Sequence, residues 1–160
     1  MVAEAAGGAE PAKPRPRPTL PLWLTVPARP GQLPGLRRAL REWLALAGIG
    51  EADASSVQVA VGEATTNAVE HAYIDTETGL VRLNARLDDD GMLSVQVADS
   101  GRWRPPGDHG GLRGRGFPLM RATMDEVRVL PSPNGTTVWL RLALGGLEPG
   151  PQPASTGQAF

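Results

Sequence analysis

The stretch from Val81 to Asp99 constrains the fold more than any other part of the chain. Apolar and polar residues alternate along Val81 to Leu87 and again along Met92 to Asp99, and Asp88-Asp89-Asp90-Gly91 between them has the composition of a hairpin turn. A period of two gives each strand one buried and one wet face, so the hairpin must lay its apolar side against something else. Further strands read at Leu20 to Val26, Val127 to Leu130 and Thr136 to Leu142, the last two flanking a turn from Pro131 to Gly135. Helices supply the cover. Leu33, Leu36, Leu40, Trp43, Leu44 and Ala47 recur at helical spacing and are closed off by Gly48 and Gly50. A second helix is expected from Asp53 or Ser55 to about Ala72, and a third from Phe117 to Met124. The order strand, two helices, two strands, loop, helix, two strands predicts an α+β fold. Its form would be a two-layer α/β sandwich, with helices on one face of a mixed, mostly antiparallel sheet.

At 160 residues and 41% hydrophobic content, the chain can bury one core of ordinary size. Residues 1–18 carry Pro11, Pro14, Pro16 and Pro18 with Lys13, Arg15 and Arg17 between them, a composition expected to stay extended and solvated. The tail 145–160 reads the same way, which leaves residues 19–144 as the expected folded unit. A net charge of −1 provides no global attraction to nucleic acid or to an anionic membrane. With no cysteine there is no disulfide, redox thiol or thiolate metal site, so any metal would meet oxygen ligands. No apolar run approaches the ~18 to 20 residues of a membrane span and no signal-peptide pattern opens the chain, so the cytoplasm is the expected location.

Three places carry residues suited to chemistry. On the second helix Val57, Ala60, Val61, Ala64, Thr65, Ala68 and Ala72 share one arc, and Glu63, Thr66, Asn67 and Glu70 share the opposite one. Glu63 and Asn67 are four apart, which sets a carboxylate beside an amide oxygen; one can orient a nucleophile while the other ligates a hard cation. The plainer reading is the wet face of an amphipathic helix. On the strand Met92 to Asp99, period two points Asp99 the same way as Leu93, Val95 and Val97. An inward carboxylate needs a donor, and an adenine amino group, a helix N-terminus or a buried arginine would each serve. Gly101 follows, where a missing Cβ allows either a turn or the approach of a flat ring. Last, Gly110-Gly111-Leu112-Arg113-Gly114-Arg115-Gly116 runs into a helix, an arrangement that suits phosphate or simply a flexible loop.

Taken in order, Glu63-Ala64-Thr65-Thr66-Asn67-Ala68-Val69-Glu70-His71-Ala72-Tyr73, Asp99-Ser100-Gly101, Gly114-Arg115-Gly116-Phe117-Pro118-Leu119-Met120 and Gly135-Thr136-Thr137 resemble the N, G1, G2 and G3 boxes of the GHKL ATPases. The wording is most similar to that of the anti-sigma-factor serine kinases, and the resemblance runs from about Leu20 to Leu142. It implies the Bergerat-type ATP-binding fold, with ATP and Mg²⁺ as cofactors. By position it implies Glu63 as general base and Asn67 as the Mg²⁺ ligand, with Asp99 accepting from the adenine N6 amino group. It also implies Gly101 beside the base, Thr136 supporting the adenine end, and Gly114 and Gly116 giving amides to phosphate; Arg113 or Arg115 would add positive charge there. The implied function is a serine-protein kinase that binds a sigma factor and phosphorylates an anti-sigma-factor antagonist of the STAS type. A non-catalytic ATP/ADP-sensing module is the alternative, prompted by the short stretch Arg102 to Arg113 and by Pro118 in the first turn of the third helix. The ATPase half of a histidine kinase ranks below both, because no phosphoacceptor helix is visible, and no direct nucleic-acid or membrane partner is expected. The strand Leu20 to Val26 offers an edge on which a homodimer can pair.

Overall fold

The computed structural model describes residues 20–71, 79–101 and 116–145. In chain order these form β1 (Leu22–Pro27), a short 3₁₀ turn (Pro30–Gln32), α1 (Leu33–Leu46), α2 (Glu51–His71), β2 (Leu80–Leu87), β3 (Met92–Asp99), α3 (Gly116–Thr123), β4 (Glu126–Ser132) and β5 (Gly135–Ala143). The strands lie in the order β1-β2-β3-β5-β4. The expected α+β sandwich is present, and where a mixed sheet was expected every pairing among the described residues is antiparallel.

Strand register turns the alternation of the sequence into layers. Leu22, Ala85, Val95, Leu140 and Val127 line up across the five strands, as do Leu24, Leu83, Val97, Val138 and Val129 in the neighbouring row. Ala85, Val95, Leu140, Leu83 and Val97 of these rows are fully buried and join Leu36, Leu40 and Leu44 of α1 and Val57, Ala60, Val61 and Ala64 of α2 in one core, with Val138 partly buried against it. Each such leucine or valine adds about 1.5–3 kcal/mol relative to leaving it in water. The small residues Ala60, Ala64 and Ala68 let α2 lie close to the sheet, and the expected core arc of that helix is the observed one from Val57 to Ala68; Ala72 lies outside the described residues. Thr65 also sits on this arc; its hydroxyl donates to the carbonyls of Val61 (2.8 Å) and Gly62 (3.1 Å) and so carries no unmet polar group into the core.

Three boundaries differ from expectation for physical reasons. Helix α2 starts at Glu51, ahead of Asp53 and Ser55. Gly48 takes φ 70° at the end of α1, its N–H and that of Ile49 close onto the carbonyls of Ala45 and Leu44, and the carbonyl of Gly50 already accepts from Ala54. A glycine-closed helix end therefore passes directly into the next helix. Asp53 instead accepts a hydrogen bond from the Gly145 N–H (3.3 Å). The β4–β5 turn is also shorter than expected, because Pro131 pairs opposite Thr136 and only Pro133 and Asn134 lie between the strands. A proline is tolerated there because β4 is an edge strand. Finally β1 starts at Leu22, and the carbonyl of Leu20 accepts from the Trp43 indole N–H (2.8 Å). The expected arm at residues 1–18 and all of the expected tail except Gly145 lie outside the described residues.

Candidate functional site

Asp99 ends β3 on the helix-facing side, in the row Val26–Val81–Asp99. Its Oδ1 accepts from the Gly101 N–H at 2.9 Å and from the Thr136 N–H at 3.4 Å. Burial pushes the carboxyl above its ordinary value of 3.8, and the hydrogen bonds from Gly101 and Thr136 pull the other way without cancelling it. Gly101 is buried next to it. Because Ala98 pairs with Thr137, Thr136 reaches the same end of the sheet one position further on.

Gly135 explains how these groups come so close. It has φ 138°, and a Cβ on it would lie 1.9 Å from the Asp99 carbonyl oxygen and 2.9 Å from the Ser100 Cα. The main chain of the β4–β5 turn therefore rests directly on the main chain of Asp99 and Ser100, an approach only glycine permits. In the sequence Gly135 reads as the end of a hairpin turn; the Asn134-Gly135 pair signals the turn, and nothing in it signals the contact with Asp99.

The second group lies between α2 and α3. Glu63 and Asn67 are partly exposed on α2, and Gly116, the first residue of α3, is buried against them. A Cβ on Gly116 would fall 2.8 Å from Glu63 Oε2 and 3.4 Å from Asn67 Nδ2. The start of α3 thus packs on the carboxylate and amide that the helical spacing pairs. Among the described residues no three His, Asp or Glu side chains gather into a metal site. A cation here would take most of its ligands from bound phosphate and water.

Of the expected site residues, the fold brings Asp99, Gly101 and Thr136 together at one end of the sheet, and Glu63, Asn67 and Gly116 together between two helices. Arg113, Gly114 and Arg115 lie outside the described residues, as does the side chain of His71.

This combination of a helix-covered antiparallel sheet with an inward aspartate at a strand end, and a glutamate–asparagine pair facing a helix start, matches a known class. The chain belongs to the histidine kinase-like ATPase domain family, whose pattern covers residues 26–142, and its GHKL resemblance holds. The serine-protein kinase RsbW of Bacillus velezensis is 33% identical over 141 residues, covering 77% of this chain and 85% of that protein. The anti-sigma F factor of Priestia megaterium is 28% identical over 102 residues, covering 54% of this chain and 67% of that one. The crystal structure of RsbU and RsbW domains from Mycobacterium tuberculosis matches with a TM-score of 0.66 at 33% identity, covering 79% of this chain and 32% of the other. This chain therefore spans about a third of the length of that protein. No helix among the described residues is long and apolar enough to cross a membrane.

Proposed function

We propose that this domain binds Mg·ATP and acts as a serine-protein kinase and anti-sigma factor, phosphorylating an antagonist protein and sequestering a sigma factor in the cytoplasm. The observation that carries the reading is the packing of Gly116 against both Glu63 and Asn67, which joins a carboxylate, an amide and a helix start in one place. The residues suit the cofactor. Asp99 is a half-buried carboxylate with Oδ1 held by two main-chain N–H groups, an arrangement that would leave the other oxygen to accept from the exocyclic amino group of adenine. Gly101 leaves room for the base beside it, and Thr136 offers a hydroxyl at the same end.

Asn67 would supply an amide oxygen to Mg²⁺, and Glu63 would orient the substrate serine hydroxyl and accept its proton. When bound, Mg²⁺ supplies charge compensation on the phosphate oxygens. The main-chain N–H groups at the start of α3 would face phosphate, with Gly114 and Gly116 as the donors and Arg113 or Arg115 adding positive charge. The kinase and anti-sigma roles rest on the relatives bearing those names. Edge strand β1 leaves a route to a homodimer.

The test is calorimetric titration of ATP and ADP, with and without Mg²⁺, into the wild type and Asn67→Ala, together with phosphorylation of a STAS-type antagonist. ATP binding whose Mg²⁺ dependence disappears in Asn67→Ala, with a phosphoserine on the antagonist, is the expected result. A folded protein that binds no nucleotide overturns it. A second reading, an ATP/ADP-sensing module without phosphotransfer, draws support from Pro118 in the first turn of α3, since proline has no N–H to offer a phosphate. Tight nucleotide binding and nucleotide-dependent partner binding without phosphoserine would select it.

A further inference from the structure

Two turns of the sheet are tightened by a side chain, and they lie at opposite ends of β3. The β2–β3 turn precedes Met92, far from Asp99; Gly91 takes φ 79° within it, and Asp90 Oδ1 accepts from the Met92 N–H at 3.2 Å. The β4–β5 turn lies at the Asp99 end and has only Pro133 and Asn134 between the paired residues Ser132 and Gly135. A two-residue hairpin usually takes positive φ at one or both central residues, because that twist matches the strands. Neither Pro133 nor Asn134 has a positive φ. The order Ser-Pro-Asn-Gly instead suits a type I turn, whose twist fits a hairpin less well. The Ser132 hydroxyl closes it from inside. It accepts from the Asn134 N–H at 3.3 Å and donates to the Gly135 carbonyl at 3.0 Å.

The second of these bonds reaches the candidate site. The Gly135 carbonyl and the Thr136 N–H belong to one peptide unit, which is planar and trans, so they point in opposite directions. Ser132 of β4 holds the oxygen end, and Asp99 Oδ1 of β3 takes the N–H end. At 3.4 Å the contact with Asp99 is at the long end of the hydrogen-bond range, against 2.9 Å for the Gly101 N–H, so a small rotation of the peptide loses it. Gly135 has no side chain to resist that rotation. Donation to the carbonyl also polarises the unit and makes its N–H a better donor.

We infer that Ser132 is a positioning residue for the proposed adenine site: its hydroxyl fixes the Gly135–Thr136 peptide so that Thr136 stays on Asp99. Removing the hydroxyl frees the peptide and leaves Asp99 Oδ1 with the Gly101 N–H as its remaining main-chain donor. The effect on ATP rests on the nucleotide reading, whereas the effect on the Thr136 amide does not.

The test compares the full-length wild type with Ser132→Ala, Ser132→Thr and Asp90→Ala, each checked by thermal melting. Asp90→Ala loosens the turn at the far end of β3 and so reports the effect of a weakened hairpin alone. The readouts are the Thr136 amide in nuclear magnetic resonance of the nucleotide-free protein, by shift and hydrogen exchange, and calorimetric titration of Mg·ATP. In Ser132→Ala the Thr136 amide should shift and exchange faster, and ATP affinity should fall by about three- to tenfold. Ser132→Thr, which keeps the hydroxyl, should restore both, and Asp90→Ala should change neither. A Thr136 amide unchanged in Ser132→Ala overturns the inference, as does an altered amide with unaltered ATP affinity. Equal effects from Asp90→Ala, or a loss in folded Ser132→Thr as large as in Ser132→Ala, also overturn it. If the wild type binds no ATP, the nucleotide reading fails by itself, and the role of Ser132 in holding Thr136 is decided by the amide alone.

Discussion

The two halves of the candidate site are built by different means. At the sheet end, main chain does the positioning: Gly101 and Thr136 donate N–H groups to Asp99, and Gly135 lets the β4–β5 turn rest on the end of β3. Between the helices, side chains do it: Glu63 and Asn67 reach from α2 across to Gly116, and both are partly exposed. A main-chain scaffold tolerates few substitutions and holds a group in one place at a cost in adaptability. A side-chain pair on a helix surface can be changed with little effect on folding. On the proposed function the sheet end would select a flat, constant part of the ligand, and the helix end would carry out chemistry on the part that changes during turnover.

The contrast is sharpest for Glu63→Gln. On the proposed mechanism it lowers antagonist phosphorylation by about 10²–10⁴-fold while nucleotide affinity and melting temperature stay near wild type, checked by phosphoserine formation and calorimetry. An equal loss of stability would mean that the helix end is as structural as the sheet end. Gly135→Ala is the opposite case. With a Cβ 1.9 Å from a carbonyl oxygen and φ of 138°, it loses about 3 kcal/mol of stability in denaturant titration. If Gly135→Ala melts like wild type, the main-chain account of the sheet end fails.

Asp99→Asn separates scaffold from recognition. The amide oxygen can still accept from Gly101 and Thr136, so the fold survives, but the oxygen proposed to receive the adenine amino group becomes a donor. ATP affinity falls by about 30-fold, or about 2 kcal/mol, in calorimetry. The smallest effect is in pH dependence. Burial raises the Asp99 carboxyl above 3.8, so the folded state holds this proton more tightly than the unfolded chain does. The associated stability is fully present below the unfolded value and is lost as pH rises through the folded one. Comparing the pH dependence of unfolding in wild type and Asp99→Asn isolates this slope, and it should be absent from the variant.

Much of this was legible in the chain. Alternation along Val81 to Leu87 and Met92 to Asp99 sets the parity that turns Asp99 inward, and that parity is the observed one. The four-residue spacing of Glu63 and Asn67 places them on one helix face, and the alanines opposite mark the side that is buried. These are local consequences of a period of 2 or 3.6.

What the local pattern did not contain is how separate segments meet. The start of α2 at Glu51 follows from how α1 ends, through Gly48 and Gly50, so a good cap residue at Asp53 was not decisive. The pairing of β5 with β3 rather than with β2 brings Thr136 to Asp99, from 37 positions away along the chain. The role of Gly135 is visible only once the β4–β5 turn lies on Ser100. Periodicity and residue chemistry determined which faces each element would present. Only the tertiary structure decided which faces meet, because contact between distant segments depends on register and close approach that no single segment encodes.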